Sequence, residues 1–224
     1  MKNGSVAQRV RITFGVDGPM RYLSVLDLGL VWERLLRRAR VPLAYTQGYN
    51  PHARLQFASA LPVGYSSVCE LLDVFLRQAN PLDELVAAIR CELPQGLGLL
   101  DIRQVPIDAT PLQATVHEAH YRARVWGQFV SEDLFKAVEI LMHRDHIPRQ
   151  RRRKEQMVDY DLRPLLRQVD VIAARQGFAE MGFVMLCGAS GSGRPEEAIE
   201  ELGIEFSYYD ICRIALIWKD EKGL

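Results

Sequence analysis

The 224-residue sequence predicts an α+β fold of two ferredoxin-like (βαββαβ) modules in tandem, with antiparallel sheets and helices on one face. Three observations carry this expectation. Segments with the two-residue alternation of half-buried strands exchange with segments of helical period, in the order strand, helix, strand, strand, helix, strand. Turn-forming residues punctuate them, above all Leu61-Pro62-Val63-Gly64-Tyr65-Ser66-Ser67 between the two middle strands. The same order of elements recurs in the second half, without residue-level similarity. A first module is therefore expected over residues 8–106 and a second over 112–219.

Residues 8–16 alternate Val10, Ile12 and Phe14 against Arg9, Arg11 and Thr13. A helix follows with a clear start. Ser24 is its N-cap, Asp27 completes a capping box, and Leu23 and Leu28 take the two positions of a hydrophobic staple. Its apolar stripe is Leu28, Val31, Trp32, Leu35 and Leu36, with Arg34, Arg37 and Arg38 opposite and Pro42 beyond the end. Residues 55–60 and 68–76 form the paired strands. Asn80 and Pro81 open a second helix with Leu82, Leu85, Val86 and Ile89 on one face. Pro94 and Gly96 close it, and residues 97–105 are the last strand. In the second half, residues 119–125 alternate, Ser131 caps a helix to about His143, and residues 156–162 are extended. An extra segment, 163–177, is expected to be helical. Residues 178–187 form an apolar strand, Pro195 starts a helix through Leu202, and residues 211–218 complete the module.

Twenty-eight Lys and Arg balance twenty-eight Asp and Glu, so bulk charge excludes a general polyanion binder. The charges are unevenly placed. Arg34, Arg37, Arg38 and Arg40 cluster early, and Arg149, Arg151, Arg152, Arg153 and Lys154 form a denser block. Acidic residues gather late, in Glu196, Glu197, Glu200, Glu201, Glu205 and Asp210. The four cysteines, Cys69, Cys91, Cys187 and Cys212, show no Cys-x-x-Cys spacing, which argues against a zinc or iron–sulfur site and for free thiols in a reducing compartment. No run approaches the ~18 apolar residues of a membrane span. A cytoplasmic, soluble protein without membrane contact is expected.

Residues 45–54 are the richest in chemistry: Tyr45-Thr-Gln-Gly-Tyr-Asn-Pro-His-Ala-Arg54. Tyr45 and Tyr49 offer faces for stacking, Gln47 and Asn50 directional hydrogen bonds, His52 a proton donor or acceptor, and Arg54 an anion contact. The plain alternative is an Asn-Pro turn whose amides satisfy backbone groups. The block 149–154 reads either as a solvated hairpin or as a phosphate attractor. Gly188-Ala-Ser-Gly-Ser-Gly193 has the glycine spacing of a phosphate loop, but Arg194 and Pro195 replace the required Lys and hydroxyl, leaving a strand-to-helix connection. His117 with His120, and His143 with His146, are spaced too poorly to share a metal ion, so no metal site is expected.

Met20-Arg21-Tyr22-Leu23-Ser24, Asp27, Glu33-Arg34-Leu35-Leu36-Arg37-Arg38-Ala39 and Pro42-Leu43-Ala44-Tyr45 continue into Gln47-Gly48-Tyr49-Asn50-Pro51-His52, Leu61-Pro62-Val63-Gly64, Ser67 and Glu70. Together they resemble the radical SAM-associated (radical SAM-linked) bacterial domain family of unknown function. The resemblance is dense over residues 9–94 and looser through Asp159-Tyr-Asp-Leu-Arg-Pro164 and Arg213. It implies a partner, a cobalamin-type radical SAM protein. This chain lacks Cys-x-x-x-Cys-x-x-Cys, so an iron–sulfur cluster, S-adenosylmethionine and cobalamin would belong to that partner, with no cofactor here. The family usually carries histidine after the capping serine, where this chain has Val25. The missing histidine weakens a catalytic role for His52 and favours recognition.

The resulting expectation is an accessory substrate-binding protein, non-catalytic, that works with a radical SAM enzyme and binds RNA. Arg34, Arg37, Arg38, Arg149, Arg151, Arg152, Arg153 and Lys154 would hold phosphates, and Tyr45, Gln47, Tyr49, Asn50, His52 and Arg54 the recognised group. Two alternatives stay open. One is an RNA-cleaving or RNA-modifying enzyme using His52 for proton transfer, and the other is a protein–protein scaffold with Trp32 or Trp126 at the interface.

Overall fold

The computed structural model describes residues 6–153, 156–188 and 191–218. The chain divides into two compact units, Met1–Thr115 and Val116–Leu224. The architecture is mixed α+β with antiparallel sheet pairing.

The first unit runs β1 (Gln8–Val16), α1 (Val25–Arg38), β2 (Leu55–Phe57), β3 (Ser66–Leu76), α2 (Leu82–Glu92), β4 (Leu97–Val105) and the short α3 (Leu112–Thr115). Its strands lie in the order β4-β1-β3-β2. Alternation decides which side is the core. Val10, Ile12, Phe14 and Val16 of β1 and Leu72, Val74 and Leu76 of β3 share one face, where they meet Leu28, Trp32, Leu35 and Leu36 of α1 and Leu85 and Ile89 of α2. Both helices therefore cover the same face. Trp32 is fully buried, edge-on to Phe14 with ring centroids 5.0 Å apart. It is not available for a partner interface.

The opposite face of β1 and β3 carries Arg9, Arg11, Asp73 and Phe75, all buried. Asp73 accepts from Arg9 Nε at 2.9 Å, Arg11 Nε at 2.8 Å and Arg11 Nη2 at 3.1 Å. The remaining Arg9 N–H groups reach backbone carbonyls of Ala109 and Thr110, tying the segment after β4 to the sheet.

Helix α1 starts at the expected cap, where Ser24 Oγ accepts the Asp27 N–H at 3.2 Å. The Asp27 carboxylate accepts the Ser24 hydroxyl at 2.7 Å rather than closing the box on a backbone N–H. The other end is a Schellman turn: Val41 N–H to Leu36 O at 3.0 Å and Arg40 N–H to Arg37 O at 3.1 Å. That turn requires a left-handed residue, and Arg40 supplies it with φ 56°. An L side chain is disfavoured there, so Arg40→Gly should raise the stability of this unit by about 1 kcal/mol, read as a higher denaturation midpoint.

The second unit runs β5 (Val116–Gly127), α4 (Ser131–His143), β6 (Pro148–Arg153), β7 (Gln156–Asp161), β8 (Leu166–Arg175), β9 (Phe178–Leu186), α5 (Pro195–Glu200) and β10 (Phe206–Trp218). Four of these pair as β10-β5-β9-β8, while β6 and β7 form a separate hairpin. The segment 163–177 is thus not helical beyond a single turn at Arg163–Leu165; most of it is β8, the strand beside β9. The inserted piece is instead the hairpin, so residues 156–162 pair with β6 and not with the sheet. Ser131 is the first helical residue of α4, and Val130 holds the cap position without a side-chain bond. Gly127 ends β5 where a Cβ would stand 2.4 Å from Glu205 O, so only glycine lets β10 begin so close. Among the described residues no helix is long and apolar enough to cross a membrane.

Candidate functional site

The loop at 45–54 is a closed excursion. Tyr45 and Ala53 form an isolated antiparallel bridge. Inside it, Thr46 N–H donates to His52 O at 2.8 Å, and His52 N–H to Thr46 Oγ1 at 3.0 Å. Beyond this root the loop is solvent-exposed, with Gln47 and Asn50 exposed and Tyr49 99% exposed.

Its residues do not converge on one point. His52 lines a cleft of about 460 Å³ between α1 and β2, together with Val25, Leu26, Leu30, Glu33, Leu55 and Phe57. Tyr45, Thr46, Gly48 and Pro51 line a second cleft of about 300 Å³ beside Arg77. Arg54 lies elsewhere, its guanidinium 4.5 Å from the Phe75 ring centroid. The sequence grouping of His52 with Arg54 is therefore separated in space. What spacing alone could not show is that Val25 and His52, far apart in the chain, line the same cleft. The position where the resemblance expects a second histidine thus lines the same cleft as the first. In this chain it makes the wall apolar. Glu33 is the carboxylate in that cleft.

Beyond the cleft, α1 carries the same exposed stripe onward. Leu26, Leu30, Arg34 and Arg37 follow one another at helical spacing on the exposed side. The side chains of Arg34 and Arg37 are exposed and make no hydrogen bond or ion pair among the described residues. Arg38 is engaged otherwise, with Nε 2.8 Å from Glu92 Oε2.

The basic block forms β6 of the hairpin, and its cations split. Arg149 pairs with Glu200 and, at 2.9 Å, with Glu201. Partial burial works against the Arg149 charge, yet hydrogen bonds to Glu200 and Glu201 hold it protonated more firmly than usual. Arg151 grips both oxygens of Glu197 at 2.8 and 2.9 Å, donates to Ser192 O, and stacks on Tyr160 at 4.8 Å. These two arginines clasp the hairpin to α5. Arg152 points away and is exposed; the Arg153 side chain and Lys154 lie outside the described residues. Glu197→Gln should loosen this clasp. Trypsin cleavage at Arg152 should quicken at least severalfold, while cleavage in the first unit stays unchanged.

The hairpin root is built from the second stretch of the resemblance. Asp161 accepts the Ile147 and Arg163 backbone N–H groups and pairs with His146 Nδ1 at 2.9 Å. The backbone bonds, then His146, push the Asp161 carboxyl down to about 2. Its side-chain bond raises the His146 pKa in turn. Arg163 caps the end of α4 through the carbonyls of Met142 and Arg144. His146 is thus held away from His143, which bonds Glu139 O, and among the described residues no cluster of potential ligands could hold a metal ion.

A family model described as "Uncharacterized protein conserved in bacteria (DUF2344)" matches residues 9–195. A chain in the crystal structure of a Cbf5-Nop10-Gar1 complex is similar at 10% identity and a TM-score of 0.50, over 92% of this chain and 48% of that one. This chain therefore spans about half the length of its counterpart, and at such identity the likeness is one of fold alone. The acetolactate synthase small subunit from Thermotoga maritima is similar at 8% identity over 96% of this chain and 99% of that one, with a TM-score of 0.29. No curated protein matches the chain.

Proposed function

We infer that this chain, which belongs to the family of uncharacterized proteins conserved in bacteria (DUF2344), has a role in binding rather than in turnover. The two units are two ferredoxin-like modules, each with the strand order that fold requires, the second enlarged by the β6-β7 hairpin. The protein is an accessory subunit that binds RNA for a cobalamin-type radical SAM enzyme. That enzyme, implied by the resemblance, would bring the iron–sulfur cluster, S-adenosylmethionine and cobalamin.

One observation carries the binding role. Leu26 and Leu30 of the cleft that holds His52 and Val25 are followed, on the same exposed stripe of α1, by Arg34 and Arg37, whose side chains are unpaired among the described residues. A largely apolar cleft with a few polar groups suits a ring, and two cations one to two helical turns away suit the phosphates attached to it. Arg149 and Arg151, held by α5, contribute less. A single imidazole beside valine is a recognition group before it is half of an acid–base pair. His52 and Glu33 in one cleft do favour, as a second reading, proton transfer to or from a bound RNA.

The test is fluorescence anisotropy with a labelled single-stranded RNA at low salt. Arg34→Ala with Arg37→Ala should weaken binding about tenfold and lower the salt slope by about 1.5. Unchanged affinity would remove this surface from the proposal. RNA cleavage or modification by the isolated protein that disappears in His52→Ala would move the assignment to an enzyme. Co-purification with a co-expressed radical SAM protein from the same genome tests the partner.

A further inference from the structure

The second sheet has one face covered and one open. On β5, Ala119, Tyr121, Ala123 and Val125 are buried, while Arg122 and Arg124 are exposed and Trp126 is half-buried. On β9, Ala179, Met181 and Phe183 are buried and Phe178 is half-exposed. Register places Tyr208 of β10 opposite Trp126, Trp126 opposite Phe178, and Phe178 opposite Arg175 of β8. One row across all four strands therefore reads Tyr208, Trp126, Phe178, Arg175. Ring centroids follow at 5.3 Å and 5.4 Å, and the Arg175 guanidinium sits 5.0 Å over Phe178. Tyr208 is 57% exposed. Trp126 and Phe178 are partly exposed beside it, so the row presents ring surface to solvent on the open face.

We propose that this row is a stacking platform for the bases of single-stranded RNA. Four-stranded sheets with aromatics on the open face receive two or three unstacked bases in this way. The neighbouring row decides between RNA and a protein partner. It holds Arg124 opposite both Glu180 and Asp210, with Arg122 ion-paired to Glu180 at 3.1 Å. A protein seated here would desolvate those charges. Bases laid on the rings leave them in water. The mixture of signs also means that stacking and Arg175, not a dense cationic field, supply the affinity. Binding at this platform should depend weakly on salt, unlike binding at Arg34 and Arg37. The choice of ligand rests on the reading of the chain as RNA-binding.

The experiment is a titration of the full chain with an unlabelled single-stranded RNA of mixed sequence, followed by tryptophan fluorescence, with anisotropy in parallel. RNA should quench the wild type. Trp126→Phe should abolish most of that quench while keeping affinity within about threefold, since a ring is retained. Tyr208→Ala, at an exposed position, should weaken binding about tenfold at 300 mM salt, where phosphate contacts contribute least. If the wild type binds RNA but quenching persists in Trp126→Phe and Tyr208→Ala binds equally well, the platform is overturned and the RNA-binding role stands. If the wild type binds no RNA at low salt, the RNA-binding role falls and the platform with it.

Discussion

Asp73→Ala should destabilise the first unit by about 3–5 kcal/mol, because it strands two buried guanidinium groups. Asp73 is wholly inaccessible and Arg9 is 2% exposed. The carboxylate is the acceptor that both Arg9 and Arg11 share. Even with it in place the cluster carries one surplus positive charge. That surplus is spread over the carbonyls of Ala109 and Thr110 and the Phe75 ring, 5.1 Å from the Arg9 guanidinium. Without Asp73 neither arginine can reach water without opening the sheet face. Denaturant unfolding monitored through Trp32, sealed in the same unit, reads the loss directly. Replacing all three charged residues with apolar ones of similar volume should recover most of it, because a complete buried ion cluster contributes little net stability. A loss below 1 kcal/mol for Asp73→Ala would show that the cluster is solvated after all.

Glu196→Gln should leave stability nearly unchanged at pH 4 and raise it at pH 8, by roughly 3 kcal/mol at most. Burial is the main cause, with the Glu197 and Glu200 charges adding, and together they push the Glu196 carboxyl up to about 7. Between about pH 4.5, its ordinary value, and pH 7 the folded chain keeps a proton that the unfolded chain has released. Stability therefore falls as pH rises through that window, and above it the full cost is present. Glutamine keeps the shape of the protonated acid and removes the slope. Thermal midpoints of the two proteins across pH 5 to 8 should diverge steadily; parallel curves would mean that the carboxyl is ionised without penalty. Asp161 acts in the opposite sense. Its lowered value gives stability that is lost only below about pH 4, as acid protonates it toward pH 2.

Much of the first unit was legible in the sequence because its signals are local. Ser24 caps α1 within its own turn, and residues 97–105, bounded by Pro94 and Gly96 on one side and Pro106 on the other, coincide with β4. β8 was not legible. Its pairing slips between Leu166 and Gln168 and again between Val171 and Ala173. Each irregularity breaks the two-residue period, leaving Leu166 and Val169 at a helical interval and Ala173-Ala174-Arg175 as helix formers. The site suffered from a different limit. That the basic block would be clasped by Glu197, Glu200 and Glu201 depends on tertiary contacts across about 50 residues, which composition alone could not assign. The meeting of Val25 with His52, and the ring row of Tyr208, Trp126 and Phe178, are likewise products of register and packing.

The hairpin root has a consequence for how this molecule can change. Leu162 N–H bonds Ile147 O at 2.8 Å, so the two ends of the insertion already touch before β6 begins. Everything distal to that bond is a branch on a closed ring. Loop closure costs little more for a longer branch than for a shorter one. Residues can accordingly be added, removed or exchanged at the tip without shifting the register of β8 on β9. The arm can therefore change in length while the sheet beneath keeps its shape.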